Sequence, residues 1–207
     1  MLNRNKVEIV GVATTYPEFS HEVFGEAFYT MDVTTERTSG YPDVIPVTVS
    51  ERLFDREDYL GMAVRIKGQM RSYNRVDEDK TRLILSVFAM DVTELPEGGL
   101  HVNEIVIDGY LCKPPVYRQT PSGREIADIM VAVNRPYGKS DYIPCICWGR
   151  NARYAGQMNV GDRIQITGRI QSRDYWKKMP DGTQEKRTAI EVSAAAIGKE
   201  EGHGENV

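Results

Sequence analysis

Flat rings and cations crowd into one stretch of this 207-residue chain. Tyr137, Tyr142, Trp148, Tyr175 and Trp176 lie there, interleaved with Arg163, Arg169, Arg173, Lys177, Lys178, Lys186 and Arg187. A ring stacks on another π face, and a guanidinium or ammonium neutralises an anion. Interleaved, the two suit a ligand that alternates flat faces with negative charges, as an unpaired nucleic-acid strand does. Spacing sharpens the reading. Tyr142 and Trp148 are six positions apart, so on one extended strand they share a face, while Ile143, Cys145 and Cys147 take the other. A tryptophan on a strand is as readily a core residue as a platform, and Tyr142 shares whatever fate Trp148 has.

Other chemistries find little support. Cys145 and Cys147 have the spacing of some metal ligands, yet no His or further Cys accompanies them, and alternation turns both toward a core. His21, His101 and His203 sit in unrelated contexts, and no Ser, Asp or Cys falls in a nucleophile elbow or a phosphate loop. The expectation is a protein with no catalytic site, no metal and no cofactor.

The elements that carry these residues read as strands. Val64, Ile66 and Met70 alternate with polar positions, as do Ile164, Ile166 and Ile170. Arg163, Gln165, Thr167, Arg169, Gln171, Arg173 and Tyr175 then form one polar face. Asp181-Gly182 separates two strand-like runs and predicts a long hairpin, with Lys177, Lys178, Lys186 and Arg187 on its arms.

The chain also repeats itself. Asn5-Lys6-Val7-Glu8-Ile9-Val10-Gly11 answers Asn103-Glu104-Ile105-Val106-Ile107-Asp108-Gly109, and Asp43-Val44-Ile45-Pro46 answers Asp141-Tyr142-Ile143-Pro144, both at an offset of 98. Gly61–Ser72 answers Gly161–Ser172 at an offset of 100. A repeat of this length is a duplicated domain rather than a solenoid turn. The segmentation expected is residues 1–95, a linker at 96–102, a second unit at 103–198 and a polar tail at 199–207. Each unit should hold about five strands, with a short helix at Glu51–Leu60 in the first and Asn151–Met158 in the second. That layout is all-β, two oligonucleotide-binding (OB) barrels in tandem, although pattern alone would also allow another small β-barrel.

Composition bounds the rest. Hydrophobic residues at 41% and charged residues at 27% are globular proportions, which excludes a disordered or fibrous chain. No apolar run reaches the roughly 20 residues of a membrane span. The opening residues lack the apolar stretch of an export signal, and three cysteines cannot complete a disulfide framework, so the cytoplasm is the expected compartment. The net charge of −4 hides an asymmetry. Residues 1–99 carry 11 Lys and Arg against 17 Asp and Glu, a net of −6, whereas residues 100–198 carry 14 against 10, a net of +4. A polyanion responds to the local field, so the second unit is the better candidate.

The second unit resembles the bacterial single-stranded DNA-binding protein family. The carrying motifs are Asn103–Gly109, Thr120-Pro121-Ser122-Gly123, Val131-Ala132-Val133-Asn134-Arg135-Pro136, Asp141–Gly149 and Gly168–Arg173. The first unit is similar to a divergent member. The resemblance implies OB barrels, sequence-independent binding of single strands in DNA replication, recombination or repair, and assemblies of four barrels, here a homodimer. It also implies base stacking for Tyr137, Tyr142, Trp148, Tyr175 and Trp176. The family's acidic, Phe-terminated tail has no counterpart in Gly202-His203-Gly204-Glu205-Asn206-Val207.

Two readings stay open beside this one. RNA would satisfy the same stacking rings. A primosome-type or mobile-element accessory protein, acting through protein contacts, would explain the acidic first unit. There Tyr142 is matched by Val44, Trp148 by Ser50 and Tyr175 by Arg75, and the Asp77-Glu78-Asp79 hairpin tip should repel phosphate. Arg65, Lys67, Arg71 and Tyr73 remain as weaker candidates.

Overall fold

The computed structural model describes residues 5–54, 59–77, 80–96, 101–179 and 182–200. The Glu78-Asp79 tip, Asp181 and the segment 201–207 lie outside the described residues. Twelve strands make up about 70% of it. The first unit contributes β1 (Asn5–Ala13), β2 (Glu18–Val23), β3 (Glu26–Glu36), β4 (Pro42–Ser50), β5 (Ala63–Asp77) and β6 (Lys80–Glu94). The second contributes β7 (Val102–Leu111), β8 (Val116–Gln119), β9 (Glu125–Asn134), β10 (Ser140–Trp148), β11 (Arg163–Lys178) and β12 (Gln184–Lys199).

Two barrels close on themselves. In the first, β1 pairs with β3 and β5, β5 with β6, β6 with β4, and β4 with β3. The second repeats the circuit through β7, β9, β10, β12 and β11. Each is the five-stranded barrel expected from the sequence, and β4–β6 and β10–β12 are its parallel closures. The short strands β2 and β8 pair only with β3 and β9, as outer arms that the sequence reading did not separate.

Why these residues close barrels is visible in the alternation. Val64, Ile66 and Met70 of β5 and Ile164, Ile166 and Ile170 of β11 are fully buried, with polar neighbours outside. About a third of the way along each strand stands a glycine. A Cβ at Gly68 would collide with the Phe88 carbonyl oxygen, and one at Gly168 with that of Ser193. Bare backbone there lets the strand bend as the ladder shifts register.

The helices differ from expectation. The second barrel carries α1 (Arg150–Ala155), which ends three residues earlier than expected, because Gly156 caps it. The first shows a single 3₁₀ turn at Glu51–Leu53, started by Ser50, whose hydroxyl accepts from the Arg52 N–H; residues 55–58 lie outside the description. Among the described residues no helix is long and apolar enough to cross a membrane.

The barrels join edge to edge. Strand β1 pairs antiparallel with β7, Asn5 opposite Ile107 through Val10 opposite Val102. The equivalent residues Val7 and Ile105 face each other at the centre, so a pseudo-two-fold axis passes there. Asn5 grips both backbone groups of Met70, and Asn103 grips those of Ile170 in the same way. The result is a continuous sheet ordered β6-β5-β1-β7-β11-β12.

Candidate nucleic-acid interface

Strand β10 sorts its residues as alternation demands. Ile143, Cys145 and Cys147 are sealed in the core. Burial pushes the Cys145 thiol well above its ordinary value, and burial with the nearby Asp128 pushes Cys147 up to about 11. Tyr142 and Trp148 stand on the opposite face, 46% and 40% exposed. The two rings therefore share the outer fate. Tyr137 is fully exposed in the turn before β10, held at a left-handed φ of 63°.

Between the barrels opens a groove of about 700 Å³. The first barrel lines it with Tyr41, Pro46 and Leu85, the second with Pro144, Tyr175 and Ile190. Pro46 and Pro144 are equivalent, as are Leu85 and Ile190, so the groove straddles the pseudo-axis. Pro144 lies between Tyr142 and Trp148 on the same face of β10. From this face Pro144 reaches the groove, where Tyr175 also lies, while Ile146, between Pro144 and Trp148, is buried.

The hairpin of β11 and β12 forms the groove's wall. Arg173 places its guanidinium 5.8 Å from the centre of the Tyr175 ring, a cation–π contact. Trp176 is 64% exposed, and Lys177 and Lys178 are exposed without an ion-pair partner among the described residues. Their neighbours are engaged. Lys186 meets Asp174 at 2.8 Å, and Arg187, opposite Tyr175, forks onto Glu185.

Not every sequence candidate comes to this place. Arg163 sits on β11 opposite Tyr110 and forms a bidentate pair with Asp108, at 3.0 and 2.6 Å, plus a contact with Glu200. These carboxylates raise its pKa further, and the fork has little left to offer a phosphate. Arg169 is half-buried and bonded to Gln171; burial and the neighbouring Arg37 pull its pKa down. In the first barrel Arg65 faces Glu8, Lys67 and Tyr73 are exposed, and Arg71 reaches across to Asp141 at 3.1 Å. The apolar lining residues Pro46, Leu85, Pro144 and Ile190 were not singled out beforehand, since they come from four separate strands with no local signal.

Among the described residues no group of three or more His, Cys, Asp or Glu could hold a metal ion. The arrangement is open, ringed and partly cationic, which suits binding rather than bond-making.

Comparisons with known proteins point to one family. The sequence model of the single-strand binding protein family matches residues 102–198. The single-stranded DNA-binding protein of Clostridium tetani (strain Massachusetts / E88) is 37% identical over 103 residues, 46% of this chain and 68% of that protein. That of Oceanobacillus iheyensis is 36% identical over 81 residues, 36% of this chain and 50% of that protein. The chain thus spans half to just over two thirds of these relatives' length. The crystal structure of wild-type single-stranded DNA binding protein from Thermus aquaticus superposes with a TM-score of 0.77 at 19% identity, covering 95% of this chain and 93% of that one. At that identity the likeness speaks for the fold of both barrels together. With the matched second unit and the tandem barrels, the chain belongs to the single-strand binding protein family.

Proposed function

We propose that this chain binds single-stranded DNA without regard to sequence, protecting it during replication, recombination or repair. One observation carries the reading: Tyr142 and Trp148 are open to solvent on the face of β10 that leads into the inter-barrel groove, while their alternates fill the core. Bases stack on Tyr137, Tyr142, Trp148, Tyr175 and Trp176. Lys177 and Lys178 meet phosphates directly. Arg169, Arg173, Lys186 and Arg187 do so after exchanging a present partner. Arg163, committed to Asp108, stays outside the path.

Two chains together would present four barrels. The outer face of the sheet β6-β5-β1-β7-β11-β12 is the surface available for that association. The work of such a protein places it in the cytoplasm, on the nucleoid.

Labelled oligothymidine titrated with the full chain tests the reading by anisotropy. Saturable binding, several hundredfold weaker for a duplex of equal length, is the expected result. Equal affinity for duplex and single strand would remove stacking as the basis of binding.

A further inference from the structure

Sequence alignment of the two units strips the first barrel of its platform, since Ser50 stands where the second has Trp148. The structure shows where aromatic surface has gone instead. Opposite Trp148 on the neighbouring strand lies Ile126, and opposite Ser50 lies Phe28, at the same offset of 98. Phe28 thus takes the place of Ile126. On its other side β2 sets His21 directly opposite Phe28. The two rings stack with centroids 5.0 Å apart and planes 10° from parallel. Phe28 is only 9% exposed beneath, whereas His21 is exposed.

The stack does not stand alone. Phe88 lies 5.7 Å from Phe28, and the Arg71 guanidinium lies 5.9 Å from the Phe88 ring. Arg71 in turn pairs with Asp141, beside Tyr142. A row of flat groups therefore runs from His21 across the outer face of the first barrel to the seam, where the ring face of β10 begins. Asp32 and Pro46, on that same outer face, line the groove between the barrels.

We infer that the His21–Phe28 stack is a base-stacking platform of the first barrel, moved one strand away from the position of Trp148, so that a long single strand covers both barrels. The inference rests on the proposed strand binding. Its surroundings set how it works. Glu18 and Glu22 flank His21 on the exposed strand β2, while Glu26 is engaged by Arg52 and by the Ser50 hydroxyl. Ser20 Oγ lies 3.0 Å from His21 Nδ1. Carboxylates here do not attract phosphate, so the platform contributes by stacking and adds nothing to the ionic-strength dependence.

The test uses the full chain with two oligothymidines, about 8 and about 30 nucleotides, since one OB barrel covers about 4–16. His21→Ala should weaken binding of the long oligomer about 5- to 20-fold, at the low end of what one stacked base contributes. The short oligomer, held by the second barrel, should bind within about twofold of wild type, and the salt slope should not change. His21→Tyr, which keeps a flat ring, should retain the long oligomer. His21 is exposed, so neither variant threatens the fold. Wild-type affinity of His21→Ala for the long oligomer, alongside a loss in Tyr142→Ala, would overturn the platform and leave the proposed function standing. A His21→Tyr as weak as His21→Ala would also overturn it. No binding of either oligomer by the wild type would bring down both.

Discussion

Asp141 holds Ser72 across the seam: Asp141 Oδ1 accepts the Ser72 N–H at 2.8 Å, and Ser72 Oγ in turn accepts the N–H of Tyr142, the residue after Asp141, at 2.7 Å. The pseudo-axis reproduces the arrangement. Asp43 Oδ1 accepts the Ser172 N–H at 2.8 Å, and Ser172 Oγ accepts the Val44 N–H at 2.9 Å. The β5–β6 hairpin is thus latched to the ring-bearing strand β10, and the β11–β12 hairpin to its counterpart β4. The latch fixes the walls of the groove, and so links the packing of the seam to the proposed binding path.

Removing a latch carboxylate should cost stability. The Asp141 side chain is fully buried and meets Arg71 and Arg135, each at 3.1 Å, as well as the Ser72 amide. Asp141→Ala leaves these donors facing one another. Breaking a buried pair costs about 3–5 kcal/mol; the arginines are partly solvated, at 24% and 29% exposed, so about 2–3 kcal/mol is expected. Urea unfolding measures it. A loss below about 0.5 kcal/mol, the scale of an ordinary surface substitution, would show that the latch holds nothing.

Ring truncations should rank by barrel. Each stacked base contributes about 1–3 kcal/mol, or roughly 5- to 150-fold in affinity. Tyr142→Ala and Tyr175→Ala are expected to weaken oligothymidine binding more than Tyr73→Ala, which removes an exposed ring from the more acidic barrel. Three equal losses in anisotropy titrations would undo the assignment of the main path to β10 and the β11–β12 hairpin.

Cations on that hairpin should separate in their salt dependence. Affinity for single strands falls with a slope of about −0.7 per phosphate neutralised. Lys177→Ala and Lys178→Ala remove charges with no ion-pair partner among the described residues and should each flatten the slope by about that amount. Lys186→Ala removes a charge already answered by Asp174, so its slope should change less. An identical change for all three lysines contradicts the division into free and engaged cations.

Thiol chemistry offers an independent check on the face of β10. Cys112 is half-buried, while Cys145 and Cys147 are sealed, with burial raising all three thiols. At mildly alkaline pH an aromatic disulfide reagent should titrate Cys112 first, and the other two only on unfolding. Rapid reaction of Cys145 or Cys147 in the native protein would mean the alternation is reversed, with Tyr142 and Trp148 turned inward.

Much of this was legible in the residue pattern. The offsets of 98 and 100 carried the duplication, and the run Tyr142–Trp148 declared its two faces. What could not be read were contacts between residues far apart in sequence. Arg163 and Asp108 are 55 positions apart, and Arg71 and Asp141 are 70 apart. Position-by-position alignment also hid the aromatic surface of the first barrel. Ser50 answers Trp148 in sequence, yet Phe28 supplies a ring from the strand alongside, and only the pairing of β3 with β4 brings the two together.

The most direct test of the account uses Trp148 itself. The chain has two tryptophans, so Trp176→Phe leaves Trp148 as the sole indole emitter. Stacking of a base on this partly exposed ring should quench its emission saturably as oligothymidine is added, with a midpoint that matches the anisotropy titration and reverses at high salt. Binding by anisotropy with no change in Trp148 emission would contradict the claim that the outer face of β10 receives the strand.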